Sequence, residues 1–209
     1  MSRQEPADRR RALLAQASAI ARSDGFEAVT AEHLGRTAGT SKALVFHYFG
    51  SVRGLRLAVL EGEVADLLAA TTPPPDLDPV ERPAVLLVAF LDHVRARRRL
   101  WLGVWRGPLA GDDAARELLT GARLEIVDRM VSIAAGHGQP VNPRLALLAH
   151  GWIALVEEVA AGWVSGAGVS RDEVADLLLA SLAVLLPELP TSSAHLVRTA
   201  TLSPGRRRA

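Results

Sequence analysis

A chain of 209 residues holds one small domain and one larger one, and with 49% hydrophobic against 22% charged residues it buries a sizeable core instead of staying disordered. The absence of cysteine excludes disulfides, thiolate metal sites and cysteine nucleophiles, and it accords with a reducing cytoplasm. The net charge of +1 hides an asymmetry: residues 1–56 carry nine basic against five acidic side chains, and the remainder carries 15 against 18. A basic N-terminal segment on an acidic body is the footprint of a phosphate-binding surface, although a basic solvated face leaves the same trace. The first twenty residues are charged and lack the apolar stretch of a signal peptide, so the expected location is the cytoplasm. The uncharged apolar runs 145–156 and 177–187 stop short of the roughly 18 residues that a membrane span needs.

Apolar residues recur at helical spacing along almost the whole chain and no period-2 pattern appears, so the expected class is all-α, with about nine helices. The first helix is expected from Arg9 to Ser23, with Leu13, Ala17, Ile20 and Ala21 on its apolar face and Asp24-Gly25 ending it. Phe26 and Val29 read as core anchors in the connection. Thr30 suits an N-cap for a short helix Ala31–Thr37, where Glu32 also favours the positive end of the helix dipole. Ala38-Gly39-Thr40 makes a tight turn into a third helix, Ser41–Phe49, and Ser51 caps a fourth reaching about Ala70. Pro73-Pro74-Pro75 and Pro79 then break the chain. Further helices are expected at about 80–98, 99–107, 112–135, 143–165 and 171–186. A polar tail ending in Arg206-Arg207-Arg208 is expected to be flexible.

The two short helices around Gly39 form a helix-turn-helix pattern. Small residues at the turn let the helices approach at a steep angle, and Leu34, Leu44 and Val45 pin them on the first helix. The stretch Ala38-Gly39-Thr40-Ser41-Lys42-Ala43-Leu44-Val45-Phe46-His47-Tyr48-Phe49 resembles the recognition-helix signature of the TetR family. The resemblance extends back through Gly25-Phe26 and Val29-Thr30 and forward through Ser51 and Leu55, about sixty residues in all.

The resemblance implies an N-terminal three-helix DNA-binding domain over 1–50 and a larger helical ligand-binding and dimerisation domain over 51–187. Helix 51–70 then connects the two and residues 188–209 form the tail. By the same resemblance, Thr30 and Tyr48 contact phosphate, while Lys42, Ala43, Leu44 and His47 reach base edges in the major groove, Lys42 donating to guanine. Glu32 and His33 also face bases, and Thr40, Ser41 and Arg53 complete the DNA-binding set. Three positions depart from the family pattern: Phe46 stands where a tyrosine is common, Val52 where a basic residue is usual, and Gly54 where many members carry an acidic cap. The fourth helix is therefore expected to be less well held at its start, with Arg53 in place of the missing cation.

Beyond residue 80 the helices carry wide apolar faces. One recognition helix reads only a half-site, so a twofold homodimer is expected, through helices about 143–165 and 171–186, whose apolar faces also serve an ordinary core. Phe90, His93, Trp101, Trp105, Met130, Trp152 and Val156 are candidate walls of an effector pocket suited to an apolar or planar small molecule; plain core packing is the other reading. His150 and Glu157 share a helix face but lack a third ligand, so no metal and no cofactor is expected. The implied function is a repressor released from operator DNA by its ligand. A helical dimer with a degenerate DNA reader, acting through protein contacts, is the alternative. An α-helical enzyme is disfavoured, because no G-x-S-x-G, H-E-x-x-H or phosphate-binding glycine loop occurs.

Overall fold

The computed structural model describes residues 5–136 and 143–185, and among them the chain is all-α, as expected. The helices are α1 Pro6–Asp24, α2 Ala31–Thr37, α3 Lys42–Phe49, α4 Val52–Ala70, α5 Arg82–Ala96, α6 Arg98–Arg106, α7 Asp113–Gly136, α8 Pro143–Val164 and α9 Arg171–Leu185, with one 3-10 turn at Phe26–Ala28. Each expected helix is present within a few residues of its expected ends. The expected helix end at 186 and the expected tail 188–209, with Arg206–Arg208, lie outside the described residues.

The described residues pack as two compact units, one of 5–67 with Ala96–Thr120 and the other of Leu68–Arg95 with 121–136 and 143–185. The family resemblance implied a division after residue 50. Packing gathers most of α4 and all of α6 with the N-terminal helices, because their apolar faces are used there. Leu55, Val59 and Leu60 of α4 are fully buried, and so is Leu100 of α6. α6 lies against α1 and the 3-10 turn. A side chain at Gly103 would put its Cβ 3.3 Å from Phe26 Cβ, so the small residue sets how closely α6 approaches the turn.

In this first unit α1 opens with proline in its first turn, where the missing N–H costs no hydrogen bond. It ends at Gly25, whose N–H donates to Ala21 O at 3.0 Å. Its apolar stripe Leu13, Ala17, Ile20 and Ala21 is buried, as its spacing predicts. Glu63 of α4, with its side chain only 1% exposed, joins three segments. Arg22 Nε of α1 donates to both its oxygens, at 2.9 and 3.2 Å, and Arg97 Nε lies 3.4 Å from Oε2. Burial pushes the Glu63 carboxyl above its ordinary value, against the opposing pull of Arg22 and Arg97. Arg22 also reaches Asp66 at 2.7 Å.

In the second unit α8 and α9 pack together, burying Leu145, Trp152, Ile153 and Val156 on one side and Val174, Leu178 and Leu182 on the other. The Trp152 indole N–H finds Ser181 Oγ at 3.1 Å and Leu178 O at 3.3 Å, so its polar edge is satisfied inside the core. Ion pairs tie the remaining helices to this pair: Arg171 of α9 to Asp92 of α5 at 2.8 Å, and Arg123 of α7 to Glu157 of α8 at 2.8 Å. Ser170 and Glu173 form a reciprocal capping box at the start of α9, with bonds of 3.2 and 2.9 Å. The 22-residue α8 is long and apolar enough in composition to cross a membrane, although its longest uncharged run is not. Its row of buried residues against α9 is the packing of a core helix.

Candidate nucleic-acid interface

The helix-turn-helix is built by caps at both helix starts. The His33 N–H donates to Thr30 Oγ1 at 3.1 Å, which makes Thr30 the N-cap of α2, and the Leu44 N–H donates to Ser41 Oγ at 3.1 Å, which caps α3. Between them Gly39 takes φ +61°, a left-handed conformation that a side chain would strain. Thr40 N–H then returns to Gly35 O at 2.8 Å and closes the turn. Leu34 and Val45 are buried beneath it, whereas Leu44, expected to share that role, is half-buried.

This leaves one face of α3 open. Ser41, Lys42, Ala43 and His47 are exposed, with Thr40, Leu44 and Tyr48 half-buried beside them. The His47 and Tyr48 rings meet edge-on with centroids 5.3 Å apart. The half-buried His33 points one nitrogen back into the fold: Nδ1 lies 3.1 Å from Ala28 O, linking α2 to the 3-10 turn. Glu32 is exposed and forms an ion pair with Lys42 across the two helices, and the Lys42 ammonium holds its carboxyl below the ordinary value. Lys42 Nζ also lies 5.5 Å from the Phe46 ring centroid. A phenylalanine in place of the common tyrosine thus still offers a ring face to this cation.

The start of α4 carries the cap expected at Ser51. Ser51 Oγ accepts the Gly54 N–H at 2.9 Å, so the helix is capped from Ser51 without an acidic residue at 54. A Cβ at Gly54 would lie 2.3 Å from Phe49 O, which is why no side chain stands there. Arg53 is exposed but engaged: its Nε and Nη2 donate to Asp112 at 2.5 and 2.8 Å. That contact lowers the Asp112 carboxyl and raises the guanidinium. Other basic residues of the N-terminal segment serve the fold. Arg56 donates to Val29 O at 3.1 Å and Glu27 O at 2.9 Å, while Arg10 sits 5.2 Å over the Phe49 ring.

The family model described as "Bacterial regulatory proteins, tetR family" matches residues 13–59, and the one described as "Tetracyclin repressor-like, C-terminal domain" matches 79–185. The chain belongs to the TetR family of transcriptional regulators. Its fold is similar to that of a tetR-family transcriptional regulator from Streptomyces coelicolor, with 24% identity, TM-score 0.75, and 95% of this chain and 90% of that one covered. It is also similar to a putative transcriptional regulator from Saccharomonospora viridis, solved in complex with choline, at 21% identity and TM-score 0.71, with 85% and 96% of the two chains covered. The fatty acid degradation regulator FadR from Bacillus halodurans shares the fold at 11% identity and TM-score 0.65, with 88% and 97% covered. No curated protein matches the chain in sequence. TetR-family proteins are transcriptional regulators, not enzymes.

The seven candidate pocket residues of this TetR-family chain do not fall in one unit. Phe90, His93, Trp152 and Val156 are buried in the second unit and Met130 is half-buried there. Trp101 and Trp105 belong to the first, where their rings pack 5.8 Å apart on α6. Among the described residues no three of His, Asp or Glu gather into a metal site. His150 Nδ1 bonds within its own helix to Ala146 O at 2.9 Å, and Glu157 is held by Arg123. Asp112 carried no motif in the sequence. Only packing brings it to Arg53, 59 residues away.

Proposed function

We propose that this TetR-family regulator is a cytoplasmic homodimeric repressor that leaves operator DNA when a small, largely apolar ligand binds its second unit. The observation that carries the DNA-binding part is the capped α3 with Ser41, Lys42, Ala43 and His47 on its open face. A short exposed helix with one cation and small neighbours suits the major groove, with Lys42 donating to guanine and Ala43 meeting a thymine methyl. Thr30, Tyr48 and Arg53 are the proposed phosphate contacts, and Glu32, His33, Thr40 and Leu44 flank them.

A single such helix reads a half-site, and a twofold dimer places two of them about 34 Å apart. Exposed Leu147 and Leu155 on α8 and Leu177, Val184 and Leu185 on α9 support a dimer through these helices. Phe90, His93, Met130, Trp152 and Val156 are the proposed ligand residues; Trp101, buried, and Trp105, half-buried, belong to the first unit. The choline complex of the Saccharomonospora viridis protein supports a small-molecule effector in this fold. A degenerate reader is the second reading, favoured by Val52 at a position where a cation is usual.

Mobility shifts on the DNA upstream of its own coding sequence, across a salt series, test the proposal. Specific binding that weakens with salt is expected. No specific binding at low salt to any fragment of the source genome overturns it in favour of the second reading.

A further inference from the structure

Asp112 sits between α6 and α7 and its carboxylate serves two partners. Oδ1 accepts the Ala114 and Ala115 N–H groups at 3.0 and 3.2 Å, capping α7. The same carboxylate takes the Arg53 guanidinium side-on, through Nε at 2.5 Å and Nη2 at 2.8 Å. The Asp112 side chain is 11% exposed and that of Arg53 is 59% exposed, so a fixed anion lies behind a cation that faces water.

We propose that Asp112 is a positioning residue for DNA binding, an internal counter-ion with which operator phosphate must compete for Arg53. The inference rests on the reading above, in which Arg53 contacts phosphate. A bidentate carboxylate–guanidinium pair is the strongest arrangement two such side chains make. The side-on pair leaves Nη1 and the outer Nη2 hydrogen for an anion, so Arg53 keeps its geometry but approaches DNA with its charge largely offset. A cation already neutralised within the protein adds little to the counterion release that drives binding.

The cap gives this pairing a second consequence. The hold on Arg53 depends on the carboxylate staying at the first turn of α7, a helix whose residues from 121 onward belong to the second unit. A shift of that first turn relative to α4 changes how freely Arg53 meets phosphate. By linkage, phosphate on Arg53 loosens the grip between α4 and α7.

The test compares full-length wild type, Asp112→Asn, Arg53→Ala and the double variant on duplex DNA from upstream of the coding sequence. Asparagine and serine are competent N-caps, so Asp112→Asn, with Asp112→Ser as a second uncharged cap, removes the charge while keeping α7. Both are expected to bind several-fold tighter, with a salt slope steeper by about one. Arg53→Ala is expected to weaken binding, and adding Asp112→Asn to it to recover only part of that loss, by removing the carboxylate left unpaired near the DNA. Unchanged or weaker binding by both Asp112 variants overturns the inference, as does a gain that persists fully in the Arg53→Ala background. Absence of binding by every protein overturns the DNA-binding reading and this inference together, a result distinct from binding without an Asp112 effect.

Discussion

Leu177 on α9 is 61% exposed in the single chain, on one of the two helices proposed to meet their mates. Fully burying a leucine side chain stabilises by about 2 kcal/mol, so covering the exposed part of Leu177 contributes roughly 1.2 kcal/mol per copy. Twofold symmetry doubles this to about 2.5 kcal/mol per dimer. Leu177→Glu removes that contribution and places two carboxylates in the contact. Each is desolvated at a cost of about 1 kcal/mol or more, for a total near 5 kcal/mol. At about 1.4 kcal/mol per decade the dimer dissociation constant rises between a thousand- and ten-thousand-fold. Glutamate is a good helix former at an exposed position, so the monomer keeps its fold, which circular dichroism checks. Sedimentation equilibrium across a concentration series reads the dissociation constant directly. A dimer weakened less than tenfold refutes the placement of Leu177 in the interface and the reasoning from its exposure.

Lys42→Ala is expected to weaken specific DNA binding at least tenfold, because it removes the groove-facing cation and leaves Glu32 unpaired before the DNA; a loss below threefold in a mobility shift refutes the role. Gly54→Ala is expected to destabilise by about 1–3 kcal/mol in thermal melts, since its Cβ meets a backbone oxygen at 2.3 Å, and a stabilised variant refutes this. Gly62 has open space around it, so Gly62→Ala gains about 1 kcal/mol of helix stability. If Gly62 lets α4 pivot, that variant also blunts the release from DNA by ligand; unchanged DNA affinity and ligand response refute the pivot. Burial holds folded-state Glu63 above the ordinary 4.5, so its contribution is complete below that pH and is lost as pH rises through the folded-state value. Glu63→Gln should flatten this part of a urea-denaturation profile, and an unaltered slope refutes the assignment.

The sequence by itself determined which segments are helices, because capping and periodicity are local properties. Thr30, Ser41 and Ser51 could be read as caps, and Gly39 as the turn, since each acts on backbone within a few residues. The open face of α3 came from the family resemblance, and Leu44, expected both to pin the helix and to reach bases, is half-buried. Packing decided what lies far apart in the chain. It drew α6 and Trp101 into the unit of the DNA-binding helices, through a close approach of Gly103 to Phe26 that no local pattern marks. It spent Arg22 on Glu63 and Arg56 on backbone carbonyls, so the basic charge that counts as a DNA footprint in composition is partly internal. Gly54 read in sequence as a missing acidic cap, and only the carbonyl of Phe49 beside it shows why the position is empty. Arg53 was identified as a surface cation from its own position. Its partner, which sets how much of its charge faces outward, came from 59 residues along the chain, because an ion pair depends on distance in space and not along the chain.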